Sequence, residues 1–185
     1  DAMGYFKLNV LHIHLSDDQA FRFLGTTFPE LASPEHYTAL ELTALVSYAA
    51  DRGIRVVPEL DVPGHTTSWL VAHPEWGSGG EVSASLSFGP HETVLDPTSS
   101  DVMDVLEQIF GEIAEVFPDE YVHFGGDEVR SSEWRSSASI QNYMRAQKID
   151  DTDGLQAAFN RQLICTLEGL GKYPVGWDEV LHPNL

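Results

Sequence analysis

Between Leu8 and Leu15 the chain alternates: Val10, His12 and His14 fall on one face of an expected strand, and Leu11, Ile13 and Leu15 on the other. A loop through Phe28-Pro29-Glu30 follows. Thr38 and Glu41 then stand at capping-box spacing ahead of Leu42, Leu45, Val46 and Ala49, which share one helical face. Gly53, of a residue type that tolerates positive φ, ends that helix, and Ile54 to Leu60 reads as the next strand. The stretch from Gly77 to Pro97, rich in Gly and Ser, carries no strong period and reads as a loop that covers or borders a site. Val102, Leu106, Ile109, Ile113 and Val116 then recur at the helical period. Tyr121 to Gly126 predicts a third strand. Helical patterns follow near Ile140 to Arg145 and from about Gly154 to Leu170, where Phe159, Leu163 and Leu167 share a face. Pro174 to Val180 predicts a fourth strand.

Strands alternating with helices imply a parallel sheet covered by helices, either an open doubly wound sheet or a (β/α)8 barrel. The glycine-rich phosphate fingerprint of a dinucleotide fold is absent. A barrel carries its chemistry at the C-terminal ends of its strands, which is where the polar residues lie here. A full barrel takes ~250 residues, and only four strands are counted. The expectation is therefore an α/β chain forming about half of a (β/α)8 TIM barrel, with residues 1–185 as one partial catalytic domain truncated at both ends.

Composition narrows the function classes. Ten basic against 29 acidic residues give a formal charge of −19, which repels nucleic acid over most of the surface. No apolar stretch approaches the ~20 residues that a membrane-spanning helix needs. Cys165 is the single cysteine, so an internal disulfide and a thiolate metal cage are both excluded; within its apolar helical pattern it reads as a core residue. Trp69, Trp76 and Trp134 read as packing residues.

The alternation also gathers the chemistry. Val57, Glu59 and Asp61 align in the second strand, His123, Gly125 and Asp127 in the third with Glu128 just past its end, and Val175, Trp177 and Glu179 in the fourth. Each of these faces turns polar toward the C-terminal end and should point into the barrel mouth. Two carboxylates there suit glycoside hydrolysis. A nucleophile and an acid flanking a sugar sit ~5 Å or more apart, whereas sequence neighbours splay only partly. Asp127 and Glu128 therefore suit a mechanism in which the substrate supplies its own nucleophile. Two other readings stand beside it. The acidic pair is also suited to capping a following helix N-terminus. His12 and His14, with His65, His123 and Asp127, also resemble a divalent-metal site of the kind found in barrel hydrolases.

Five segments then point to a family: KLNVLHIHLSDDQAFRF (Lys7 to Phe23), TTFPELAS (Thr26 to Ser33), RGIRVVPELDVPGHTTSW (Arg52 to Trp69), VFPDEYVHFGGDEV (Val116 to Val129) and VGWDEV (Val175 to Val180). In these segments, which cover nearly the whole chain, it resembles the β-N-acetylhexosaminidases of glycoside hydrolase family 20. One departure is Ile13, where the family often has tryptophan. The resemblance implies exo-acting removal of terminal β-linked N-acetylhexosamine from an oligosaccharide or glycoconjugate, by retaining, substrate-assisted catalysis through an oxazolinium ion. It implies Glu128 as general acid and base, and Asp127 as the group that orients the 2-acetamido group. His65 and Asp17 would support the acid. Asp61, His123 and Glu179 would be partners of the substrate or of the catalytic groups, and Trp177 a wall of the acetamido pocket. No metal or organic cofactor is implied. The family's substrate-binding arginine and several pocket residues would lie outside residues 1–185, so this piece alone is expected to be inactive. A non-catalytic carbohydrate-binding relative and a metal-dependent hydrolase using His12 and His14 are the alternatives.

Overall fold

In the computed structural model, which describes residues 1–80, 82–84, 86–87, 89 and 91–181, parallel strands stand side by side in chain order. They are β1 (Val10–His14), β2 (Arg55–Glu59), β3 (Tyr121–His123) and β4 (Tyr173–Val175). The helices between them are α1 (Ala39–Ala50), α2 (Thr67–Ala72), α3 (Ser100–Val116), α4 (Ser132–Ser136), α5 (Ala138–Gln147) and α6 (Thr152–Gly169). This is the expected α/β architecture of part of a (β/α)8 barrel.

The helices begin where their caps allow. Thr38 Oγ1 accepts from the Glu41 backbone N–H at 3.2 Å, and Glu41 Oε2 accepts from the Thr38 N–H at 2.8 Å, completing the predicted capping box. Ser99 caps α3 through the Val102 N–H, and Asp151 caps α6 through the Gly154 N–H. After α1, Gly53 takes φ +67 and its N–H returns to the Ala50 carbonyl.

The outward faces of the strands carry the core. Val56, Leu60, Val122 and Phe124 are buried against Leu106, Ile109, Phe110 and Ile113 of α3 and Phe159, Leu163 and Leu167 of α6. Each such side chain contributes about 1.5–3 kcal/mol relative to leaving it in water. Trp69 and Trp134 are fully buried and Trp76 nearly so, as packing residues should be.

Three expectations are corrected. Cys165 is exposed. It lies two residues, about 200° of helical turn, from the buried Leu163, so it points away from the core. The fourth strand stops at Val175 rather than Val180, because Asp178–Val180 turns into a 3₁₀ helix. The third strand ends at His123, and Gly125 and Gly126 follow with φ +72 and +91.

Candidate active site

Strand register brings the polar side chains together. His14 pairs with Glu59 across β1 and β2, and Glu59 pairs with His123 across β2 and β3. Past the strand ends the ladder continues, with Val62 N–H donating to the Phe124 carbonyl at 3.1 Å and Trp177 N–H donating to the Gly125 carbonyl at 2.9 Å. The C-terminal ends of all four strands thus converge on one cluster.

Glu59 sits at its centre with a side chain only 1% exposed. Its Oε2 lies 2.6 Å from His12 Nε2 and 3.2 Å from His14 Nδ1, while Oε1 lies 3.3 Å from His123 Nδ1 and accepts from Trp177 Nε1 at 3.0 Å. Burial alone would raise the Glu59 pKa. Hydrogen bonds from His123 and His14 outweigh it and hold the carboxyl well below the usual range. Burial lowers the pKa of His12 against the opposing pull of Glu59.

A second line of contacts runs toward Glu128. Asp17, on a short strand Ser16–Asp17 paired with Ala20–Phe21, meets His65 Nδ1 through Oδ1 at 2.9 Å and His14 Nε2 through Oδ2 at 3.1 Å. His65 Nε2 faces Glu128 Oε2 at 3.7 Å and has no hydrogen-bond partner among the described residues. The bond to Asp17, followed by the opposing cost of burial and the charge of Asp61, raises His65 to about 9. Bonds to Asp17 and then Glu59 raise His14 to about 10. Burial would raise Asp17, but His14 and His65 together hold it well below the usual carboxylate range. Both His65 (φ +54) and Glu128 (φ +50) sit in the left-handed region. Such backbone strain, in residues other than glycine, concentrates at functional sites.

Asp127 and Glu128 differ in exposure, Asp127 being partly buried and Glu128 exposed. Asp127 Oδ1 is buried without a partner among the described residues, and Asp127 lies within 4.8 Å of Asp61 and His65. The Glu128 side chain is 52% exposed and borders a cleft. Asp61 is buried and accepts from the Gly126 N–H at 2.9 Å. Burial and then the charge of Asp127 push Asp61 up to about 9. The capping alternative for the acidic pair does not hold, since the next helix begins at Ser132 with Ser131 at its N-cap.

Trp177 is 41% exposed and stands beside the His123 ring at 4.8 Å and the His12 ring at 5.6 Å. Glu179 does not align with it on a strand. It is exposed in the 3₁₀ turn, where with Glu128, Arg130, Asp153, Gln156 and Asn160 it lines a cleft of about 480 Å³ on the flank of the cluster. The expected metal site also divides. Among the described residues, donor atoms within 4.8 Å of one another form four groups of three, linked through Glu59, Asp61 and His65: His12, Glu59 and His123; His14, Glu59 and Asp61; Asp17, Asp18 and His65; and Asp61, His65 and Asp127. His12 and His14 meet Glu59, and none of the four groups joins either of them to His65 and Asp127.

Asp18 is the residue that pattern reading missed. It is buried, its Oδ1 accepts from the Thr67 N–H and hydroxyl at 3.1 and 2.6 Å, and its Oδ2 accepts from the His91 N–H at 3.0 Å. It therefore ties α2 and part of the Gly77–Pro97 loop to the strand bearing Asp17. That loop borders the site as expected, although Glu81, Ser85, Phe88 and Pro90 lie outside the described residues.

These charges give a pH-stability expectation. His14 and His65 bind protons more tightly folded than unfolded, so their stabilisation is full below about pH 6.5 and is lost as pH rises through 9 and 10. Asp61, also raised, opposes stability increasingly from about pH 4 to 9. The melting temperature should fall between pH 6.5 and 10, and Asp17→Asn should flatten that fall by removing the partner of both histidines. Melting curves at stepped pH check this, and an identical slope in Asp17→Asn would contradict it.

Parallel β/α units with a cluster of carboxylates and imidazoles at the strand ends place the chain in the class of barrel proteins whose chemistry sits at that face. All of residues 1–185 match the family model described as glycosyl hydrolase family 20, catalytic domain. The chain belongs to that family. It is 39% identical over 193 residues to the beta-hexosaminidase subunit beta of Homo sapiens, covering 97% of this chain and 33% of that protein. It is 36% identical over 194 residues to the beta-hexosaminidase subunit beta of Entamoeba histolytica, covering 97% and 34%. Among solved structures, a Flavobacterium johnsoniae chitobiase superposes with a TM-score of 0.96 at 38% identity, covering 100% of this chain and 29% of that one. An exo β-N-acetylglucosaminidase of Vibrio harveyi in complex with N-acetylglucosamine gives 0.86 at 28% identity, covering 100% and 33%. The chain spans about a third of the length of the curated relatives it matches.

Proposed function

We propose that this chain supplies part of the catalytic barrel of an exo-acting β-N-acetylhexosaminidase. Its substrates would be glycans or glycoconjugates ending in β-linked N-acetylglucosamine or N-acetylgalactosamine, a reading supported by its likeness to beta-hexosaminidases and to an exo β-N-acetylglucosaminidase. The observation that carries the reading is the meeting of two adjacent acids at His65, Asp127 beside buried Asp61 and Glu128 half exposed at the cleft.

Glu128 donates its proton to the glycosidic oxygen as the bond from that oxygen to C1 breaks. The carbonyl oxygen of the substrate's 2-acetamido group forms the new bond to C1, giving an oxazolinium ion. Asp127 accepts a hydrogen bond from the acetamido N–H and faces the developing positive charge, while Asp61 holds Asp127 in place. Trp177 walls the acetamido methyl group. Glu128, now a carboxylate, takes a proton from water as the water oxygen attacks C1 and the ring opens, so the β configuration is retained. His65, fixed by Asp17, orients Glu128 in both steps. Neither step calls on a metal or an organic cofactor.

The test compares an aryl N-acetyl-β-glucosaminide with the matching aryl β-glucoside on the full-length protein. The glucoside should turn over slower by roughly 10³-fold or more, because it lacks an intramolecular nucleophile whose effective molarity can reach ~10⁵ M. Comparable rates would overturn substrate assistance. Binding of the N-acetylglucosaminide without turnover would favour a carbohydrate-binding relative.

A further inference from the structure

The role of Glu59 is not explained by the chemistry above. It does not line the open cleft beside Glu128, yet its side chain is almost fully enclosed. Its two oxygens divide their work. One meets His12 and His14 of β1, and the other meets His123 of β3 and the indole N–H of Trp177 beyond β4. One carboxylate on β2 therefore ties side chains of β1 and β3 to the segment that follows β4.

Trp177 needs such a tie. The strand that carries it has ended two residues earlier, the chain is about to turn into a 3₁₀ helix, and the ring is 41% exposed. Two imidazole rings flank the indole, at 4.8 and 5.6 Å, and the 3.0 Å bond to Glu59 Oε1 is the polar contact that sets its direction. We propose that Glu59 is a positioning residue that fixes the Trp177 indole through this bond, and so sets the size of the N-acyl group the pocket accepts. The inference rests on the functional reading above and adds a determinant of substrate selectivity to it.

Two substitutions separate reach from charge. Glu59→Gln keeps the length and an acceptor oxygen for Trp177 Nε1 but removes the charge. Glu59→Asp keeps the charge for the three histidines but withdraws the oxygen by about one bond length. The assay, in the full-length protein, is the ratio of kcat/KM for aryl N-acetyl and N-propionyl β-glucosaminides, which differ by one methylene. A rigid apolar pocket separates such a pair by roughly 10–200-fold. We expect Glu59→Asp to relax that ratio by about fivefold or more, and Glu59→Gln to leave it within about twofold. If Glu59 merely neutralised the histidines, Glu59→Gln would lower the melting temperature more than Glu59→Asp, and neither would move the ratio. An unchanged ratio in Glu59→Asp, or equal relaxation in both, overturns the inference while the functional reading stands. Failure of the unaltered protein to turn over the N-acetyl substrate overturns that reading, and the inference with it.

Discussion

Replacing Glu128 by glutamine in the full-length protein should lower turnover of substrates with poor leaving groups, such as sugars, by roughly 10²–10⁴-fold, the reach of general acid–base catalysis. The substitution is nearly isosteric, and the side chain is half exposed, 3.7 Å from His65 Nε2, so little packing changes. Melting temperature should hold while the rate falls. Aryl glycosides with acidic leaving groups need less protonation, and their first step should suffer less. The contrast between leaving groups is the diagnostic, since a structural role for Glu128 would slow both alike. Small, equal losses on both substrates would remove Glu128 from the role assigned to it.

The residues that pattern reading placed well are those whose position follows from period. Strand alternation put His12, His14, Glu59, Asp61 and His123 on one face, and the register of β1, β2 and β3 brings that face together. Thr38 and Glu41 announced α1 because a capping box is written in two residues at fixed spacing. What was missed depends on contacts between segments far apart in the chain. Asp18 looked like a bystander beside Asp17, but its partners Thr67 and His91 lie 49 and 73 residues away. The six-residue α2 has no side-chain cap and is too short to show a period. Alternation in the sequence runs on to Glu179, whereas the strand ends at Val175 and the chain turns into a 3₁₀ helix just after Trp177 bonds to Gly125.

Cys165 teaches the same lesson within one helix. An apolar neighbourhood in sequence is not a face, and the buried series Leu155, Phe159, Leu163 and Leu167 passes it by. The roles given to Asp17, Asp61 and His65 came from family resemblance rather than from period. Their geometry adds what a motif cannot, namely that burial against Asp127 pushes the Asp61 carboxyl up and that His65 stands between Asp17 and Glu128.

Gly125→Ala should damage both stability and turnover, and Gly53→Ala should damage neither severely. The two glycines share nearly the same backbone conformation, with φ +72 and +67. An alanine pays about 1–2 kcal/mol for that region at either site. The surroundings differ. A Cβ on Gly53 would meet nothing within 4 Å, whereas on Gly125 it would fall inside the Asp61 carboxyl group and 2.7 Å from the Asp61 Cα. Neither chain can yield freely there, because the Gly126 N–H is bonded to that carboxyl and the Gly125 carbonyl to Trp177. Overpacking of this kind adds about 1–3 kcal/mol, a large share of the stability of an ordinary domain. Relief by moving Asp61 would break its contact with Gly126 and turn Asp127 out of place, so surviving folded molecules should also be slow. Melting temperature and aryl N-acetylglucosaminide turnover of the two full-length variants are the measurements. Equal stability and activity in both would show that the close approach of Gly125 to Asp61 does not hold the site together.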